Sequence, residues 1–140
     1  MAAINIAPDR KSPMRPVDEV RAEAGKGLVG DRYHGARNRQ VTVQSRDGLD
    51  AAAGELGYSF DPSATRRNIT VDGGKIPTEP GVRLRIGEVD LEVAREATPC
   101  RVMETSVGPG AETALRGRAG SGFRVLTSGT IRVGDEVTLI

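Results

Sequence analysis

Apolar residues recur at every second position in a series of short runs, a spacing that matches strands with two distinct faces and does not match helices. In Gln40–Gln44, Val41 and Val43 share one face, while Gln40, Thr42 and Gln44 share the other. In Asn68–Asp72, Ile69 and Val71 oppose Asn68, Thr70 and Asp72. Leu84 and Ile86 alternate with Arg83 and Arg85, and Val89, Leu91 and Val93 alternate with Glu88, Asp90 and Glu92. Only Gly87 and Glu88 separate the last two runs, which reads as a two-residue hairpin with glycine at its first turn position. Phe123–Leu126 supplies another strand. Ile131 and Val133, then Gly134–Asp135, then Val137 and Leu139 read as a second hairpin. Seven or so short strands with polar alternate faces predict a closed or nearly closed barrel, mainly β, with a few short helices.

Helical signals interrupt this pattern in three places. Leu49, Ala53 and Leu56 fall at helical spacing between Asp47, a candidate N-cap, and Gly57, a candidate C-cap. A second helix is expected to open at Thr98-Pro99-Cys100, and a third to run through Glu112–Arg116 and stop at Gly117. No linker divides the chain, so residues 1–140 read as one domain. Its 18 glycines and 8 prolines suit many tight turns.

Composition removes several function classes. A net charge of +1 and an aromatic content of 3% give little purchase on nucleic acid. No apolar run approaches the roughly 20 residues of a membrane span, and the N-terminus lacks the order of a secretory signal. The single cysteine excludes an internal disulfide. A cytoplasmic location is the simplest expectation. The single histidine, His34, excludes a multi-histidine metal site within this chain.

Three segments could carry chemistry. Thr98 as N-cap and Pro99 at the first helical position would put Cys100 in the first turn, beside Arg101, where backbone N–H groups favour a thiolate. Such a thiolate is a nucleophile, a sulfur acceptor or a ligand for a soft metal; otherwise Cys100 is a small buried hydrophobe. Gly27–Gly35 is a glycine-rich polar stretch that offers Asp31, Arg32 and His34, or else simply a connection. Arg66-Arg67-Asn68 pairs two guanidiniums, whose forked donors suit phosphate or carboxylate, with an amide that can satisfy a polar ring edge. Arg116–Gly120 is an anion-binding turn or a solvated loop.

These segments fall in a familiar order. Gly25-Lys26-Gly27-Leu28-Val29-Gly30-Asp31-Arg32 resembles the G-x-G-L-x-G-D-R opening of MOSC domains, and Arg66-Arg67-Asn68-Ile69 their R-x-N-I strand. The stretch from Gly81 to Val93 is similar to the family's hairpin, and Pro99-Cys100 to its P-C. Gly117-Arg118-Ala119-Gly120 and Gly129–Asp135 are similar to its closing segments. The matching motifs run from Gly25 to Asp135.

The resemblance implies a β-barrel domain that handles molybdenum cofactor (molybdopterin), with Cys100 as molybdenum ligand or persulfide carrier and as the catalytic residue. It implies that Arg66, Arg67 and Arg118 hold the cofactor's phosphate. Asp31 and Asn68 would be polar partners of the pterin, and Arg32 and His34 would line the entrance. Similar proteins, among them the mitochondrial amidoxime-reducing component and bacterial hydroxylaminopurine reductases, reduce N-hydroxylated small molecules. The extra β-barrel, ferredoxin-like and aminotransferase-like domains of various relatives have no counterpart in this sequence, so electrons are expected from a separate reductase. No pyridoxal phosphate is expected, because Lys11, Lys26 and Lys75 sit in no Schiff-base context. The alternative is a non-catalytic carrier that delivers sulfur or cofactor to an acceptor or biosynthesis enzyme; a diverged barrel binding another small anion is a third reading. A homodimer would complete a shallow pocket.

Overall fold

The structure, a computed structural model, describes residues 1–140. It is mainly β: a curled half-barrel sheet with three short helices. Eight strands form the main sheet in the order β11-β7-β8-β9-β5-β6-β1-β2. In chain order these are β1 (Ala3–Ile6), β2 (Arg15–Val17), β5 (Val41–Ser45), β6 (Ile69–Val71), β7 (Arg83–Ile86), β8 (Val89–Glu96), β9 (Ser121–Val125) and β11 (Val137–Leu139). A second sheet, ordered β10-β3-β4, joins β10 (Gly129–Arg132) to β3 (Glu19–Glu23) and β4 (Gly27–Leu28). Val20, Ala22, Leu28 and Ile131 of the small sheet pack with Val41, Val43, Ile69, Leu91 and Phe123 of the large one in a single apolar cluster. No helix is long and apolar enough to cross a membrane.

The β7–β8 hairpin forms as its alternation predicts, with Ile86 opposite Val89 and Arg83 opposite Glu92. The expected second hairpin does not. Gly134–Asp135 is a real turn, closed by Asp135 N donating to Arg132 O at 3.0 Å. The strands on either side of it part, however, β10 pairing with β3 and β11 with β7. Both partners expose unpaired strand edges and opposing apolar faces that a local hairpin would leave unsatisfied. β1 to β4, runs of only two to five residues, are too short to stand out from alternation in the sequence.

The expected polar face of β5 is not solvated. All five of its residues are buried, because three helices cover that side of the sheet. They are α1 (Arg46–Leu56), α2 (Arg101–Val107) and α3 (Ala111–Ala114), and Leu49, Ala52, Met103, Ala111 and Leu115 fill the space between them. Thr42 and Gln44 instead bond to neighbours on the adjoining segment. Asn68 Oδ1 accepts from Thr42 N at 3.0 Å and Oγ1 at 3.2 Å, and Gln44 Nε2 donates to Thr70 Oγ1 at 3.0 Å. Buried polar atoms satisfied in this way specify the register of the parallel β5–β6 pair, which α1 connects.

Helix ends also differ from expectation. Ser45, not Asp47, caps α1, accepting from Asp47 N at 3.2 Å, while Asp47 reaches across to accept from Gly74 N at 2.7 Å. Gly57 ends α1 in the left-handed conformation, as expected. α2 begins at Arg101, with Cys100 as the N-cap residue and extended at φ −138°. Pro99 disfavours a helical conformation at Thr98. Ala97 N donates to Gly120 O at 2.9 Å, which holds the preceding chain out straight.

Candidate functional site

Four segments meet over the helix-covered edge of β5 and β6 to enclose a cavity of about 510 Å³. Arg66 and Arg67 arrive from a short 3-10 turn, Pro62–Thr65, that leads into β6. Asp61 opens the turn by accepting from Ser63 N at 2.9 Å, and Thr65 anchors it by donating to Gln44 Oε1 at 2.7 Å. Arg66 then takes φ +62°, the one left-handed non-glycine residue of the chain. That conformation costs a residue bearing a Cβ about 1–2 kcal/mol and is held only where neighbours impose it. Here Arg66 N donates to Ser63 O at 3.0 Å, and Arg66 O accepts from Arg32 Nη2 at 3.0 Å.

Arg67 points inward. It is 5% exposed, and its guanidinium donates to Ala119 O at 3.0 Å and Thr98 O at 3.4 Å, both neutral acceptors. Its pKa is pulled down to about 10, first by burial and then by the nearby positive charge of Arg39. Arg66 is also lowered, first by burial and then by Arg32.

The opposite wall is a cationic stack. Arg32 lies over the ring of Tyr33 at 4.4 Å and Arg39 at 5.5 Å. Arg10 and Arg95 complete the rim. Continued alternation along β8 would send Arg95 to the core face with Val89, Leu91 and Val93. A bulge between Val93 and Arg95 breaks the period, and Arg95 lines the cavity instead. Six arginines thus line one space whose lining contains no carboxylate. Of the six, only Arg32 makes an ion pair, to Asp31 Oδ1 at 3.2 Å.

Cys100 lines the same cavity and is exposed, which removes the reading of it as a small buried hydrophobe. Its Sγ caps no backbone N–H, so the thiol is not spent on the helix it precedes.

The MOSC domain profile matches residues 30–138. The chain belongs to the MOSC domain family. Solved structures agree on the fold. YuaD from Bacillus subtilis superposes with a TM-score of 0.82 at 17% identity, over 96% of this chain and 91% of that one. YiiM from Geobacillus stearothermophilus gives 0.80 at 19% identity, over 99% of this chain and 73% of that one. YiiM from Escherichia coli gives 0.72 at 19%, over 100% and 70%. No curated protein sequence matches significantly. MOSC domains as a family are associated with molybdenum cofactor binding.

This MOSC domain gathers some of the residues singled out from sequence and separates others. Cys100, Arg32, Arg66 and Arg67 share the cavity. Asp31 lies beneath it and builds the loop: its carboxylate accepts from Ala7 N at 3.1 Å and Tyr33 N at 3.2 Å. Asn68 is likewise structural, joining β5 to β1 through its bonds to Thr42 and its donation to Asn5 O at 3.1 Å. His34 turns outward to Glu23 Oε1 at 2.6 Å. Arg118 pairs with Glu55 Oε1 at 2.9 Å and borders a separate cavity of about 270 Å³ beside Lys75. Sequence reasoning missed Arg10, Tyr33, Arg39 and Arg95. The bulge that delivers Arg95 had no local signal, although Arg39, just ahead of β5, was adjacent to a strand already identified.

Proposed function

We propose that this protein binds molybdenum cofactor in the Cys100 cavity and reduces N-oxygenated small molecules with electrons from a separate reductase. One observation carries the reading: the chain's only thiol opens into a cavity lined by six arginines and no carboxylate. A sulfur donor suits molybdenum, and unpaired guanidinium forks suit phosphate.

The residues present fit the group. No cluster of three or more His, Cys, Asp or Glu side chains stands close enough to hold a metal by itself. Cys100 therefore offers a single protein donor, which suits a metal whose remaining ligands come with a pterin dithiolene. Arg66 and Arg67 would hold the phosphate, with Arg39 the next cation in reach. Arg32, stacked on Tyr33, would form a wall of the pocket. Asp31 and Asn68 would act at one remove, by fixing the backbone that presents these arginines. When bound, the cofactor would supply two-electron redox chemistry at a metal. The chain's own part is to hold its phosphate, ligate through Sγ and leave the mouth open to substrate.

The exposure of Cys100 also favours a second reading, a carrier that passes sulfur or cofactor to an acceptor enzyme through the same thiol. Metal and pterin analysis of protein from a cofactor-competent host, with Cys100→Ser alongside, tests both. Molybdenum in the wild type and its loss in the variant are expected. Turnover with an artificial donor separates enzyme from carrier. Molybdenum absent from both proteins would refute the cofactor reading.

A further inference from the structure

A groove of about 420 Å³ runs along the outer side of α2, lined by Arg10, Arg66, Arg101, Thr105 and Ser106. It shares Arg10, Arg66 and Val102 with the cysteine cavity, so the two form one continuous surface. Its lining contains no carboxylate, and Arg10, Arg66 and Arg101 make no ion pair. Arg66 is also built into place. Its strained backbone is bonded on two sides, and its Nη2 donates to Arg10 O at 3.3 Å, which ties the segment after β1 to the shared wall.

Charge decides what such a surface takes. Cavity and groove together present seven arginines, of which only Arg32 has a carboxylate partner. One phosphate monoester carries a charge of about −2 and engages one or two guanidinium forks. That leaves most of the surface unneutralised, including Arg101, the one arginine that faces the groove alone. The Ser106 hydroxyl adds a neutral donor of the sort that completes a phosphate shell, while that of Thr105 already donates to Arg101 O at 3.2 Å.

We propose that the groove is a second anion subsite, and that the ligand of this protein carries a further phosphate-class group reaching out from the Cys100 cavity along α2. This rests on the cofactor reading for the identity of the inner group. The outer group belongs either to a nucleotide extension of the cofactor or to a phosphorylated substrate; both present the same oxygens to the same arginines.

The test is calorimetric titration of the apo protein with inorganic phosphate, pyrophosphate and tripolyphosphate at fixed ionic strength. Pyrophosphate or tripolyphosphate should bind about tenfold tighter than phosphate, the yield of one further charge-assisted contact. Arg101→Gln should remove most of that gain while phosphate affinity stays within about twofold. Arg116→Gln, an exposed arginine outside the groove, should leave the gain intact and controls for net charge. Equal affinity for all three anions, or an equal effect of both substitutions, overturns the subsite.

Acid release from loaded protein then assigns the source. A nucleotide released with the pterin places the outer group on the cofactor. No nucleotide, together with pyrophosphate competing against a nucleoside monophosphate on loaded protein, places it on the substrate; a protein that shows neither nucleotide nor competition overturns the proposal. Because the titration uses no metal, failure of molybdenum binding with the pyrophosphate preference intact would count against the cofactor alone.

Discussion

Replacing Arg67 by methionine should make the empty protein more stable while removing its response to anions. Arg67 is buried with only neutral hydrogen-bond partners, and burial, with the positive charge of Arg39 behind it, holds its pKa down to about 10. The fall from the ordinary guanidinium value corresponds to about 3 kcal/mol at roughly 1.4 kcal/mol per pH unit. Because the folded-state pKa is lowered, this penalty is fully present below pH 10 and is relieved only as pH rises above it. An assay at neutral pH therefore sees all of it. Methionine keeps much of the length and packs beside Met103 without a charge. It leaves Ala119 O, buried, without its donor, at a cost of about 1–2 kcal/mol, whereas the exposed Thr98 can turn to water. The net expectation is a gain of about 1–2 kcal/mol, or about 3–6 °C in Tm for a chain of this size. Added phosphate should raise the Tm of the wild type, because a bound dianion offsets the buried charge, and should raise that of the variant much less. Thermal melts at neutral pH across a phosphate series measure both. A variant less stable than wild type by more than 1 kcal/mol, or protected equally by phosphate, would refute the reasoning.

The remaining expectations are simpler. Arg66→Gly should relieve the left-handed strain at φ +62° and change stability by less than about 1 kcal/mol, since glycine's added chain entropy offsets the relief; phosphate binding by calorimetry should nonetheless fall about tenfold. Gly120→Ala should cost about 3 kcal/mol or more in urea unfolding, because a Cβ there would sit inside the Val43 carbonyl while φ is +80°. Asp31→Ala should cost about 2–4 kcal/mol, since it strands the N–H groups of Ala7 and Tyr33 and leaves Arg32 unpaired. His34→Gln should alter stability by less than about 1 kcal/mol and leave anion affinity unchanged, because its contact with Glu23 lies at the surface away from the cavity.

Where an element was decided by its own residues, it was legible. The β7–β8 hairpin needed only alternation and a glycine at the turn, and it forms in the expected register. Gly57 stops α1 for the same local reason. Ile131–Leu139 has equally clear alternation, yet its strands choose partners about 110 residues away for β10 and about 50 for β11, and nothing in a local pattern ranks those partners against each other. Asp31 and Asn68 read from the sequence as polar groups facing a ligand, whereas their burial turns their hydrogen bonds inward, onto backbone groups and Thr42. Arg10, Arg39 and Arg95 resemble any surface arginine in sequence. Only the fold reveals that they border one cavity with no acid among its lining residues.

The parting of β10 and β11 has a kinetic consequence. The small sheet needs β10 beside β3, and the edge of the large sheet needs β11 beside β7. Until these two pairings close, β3 has only the two-residue β4 for a neighbour and β7 presents a bare edge. Folding therefore proceeds through long-range closures in the millisecond-to-second range and leaves β7 open to mispairing until β11 docks.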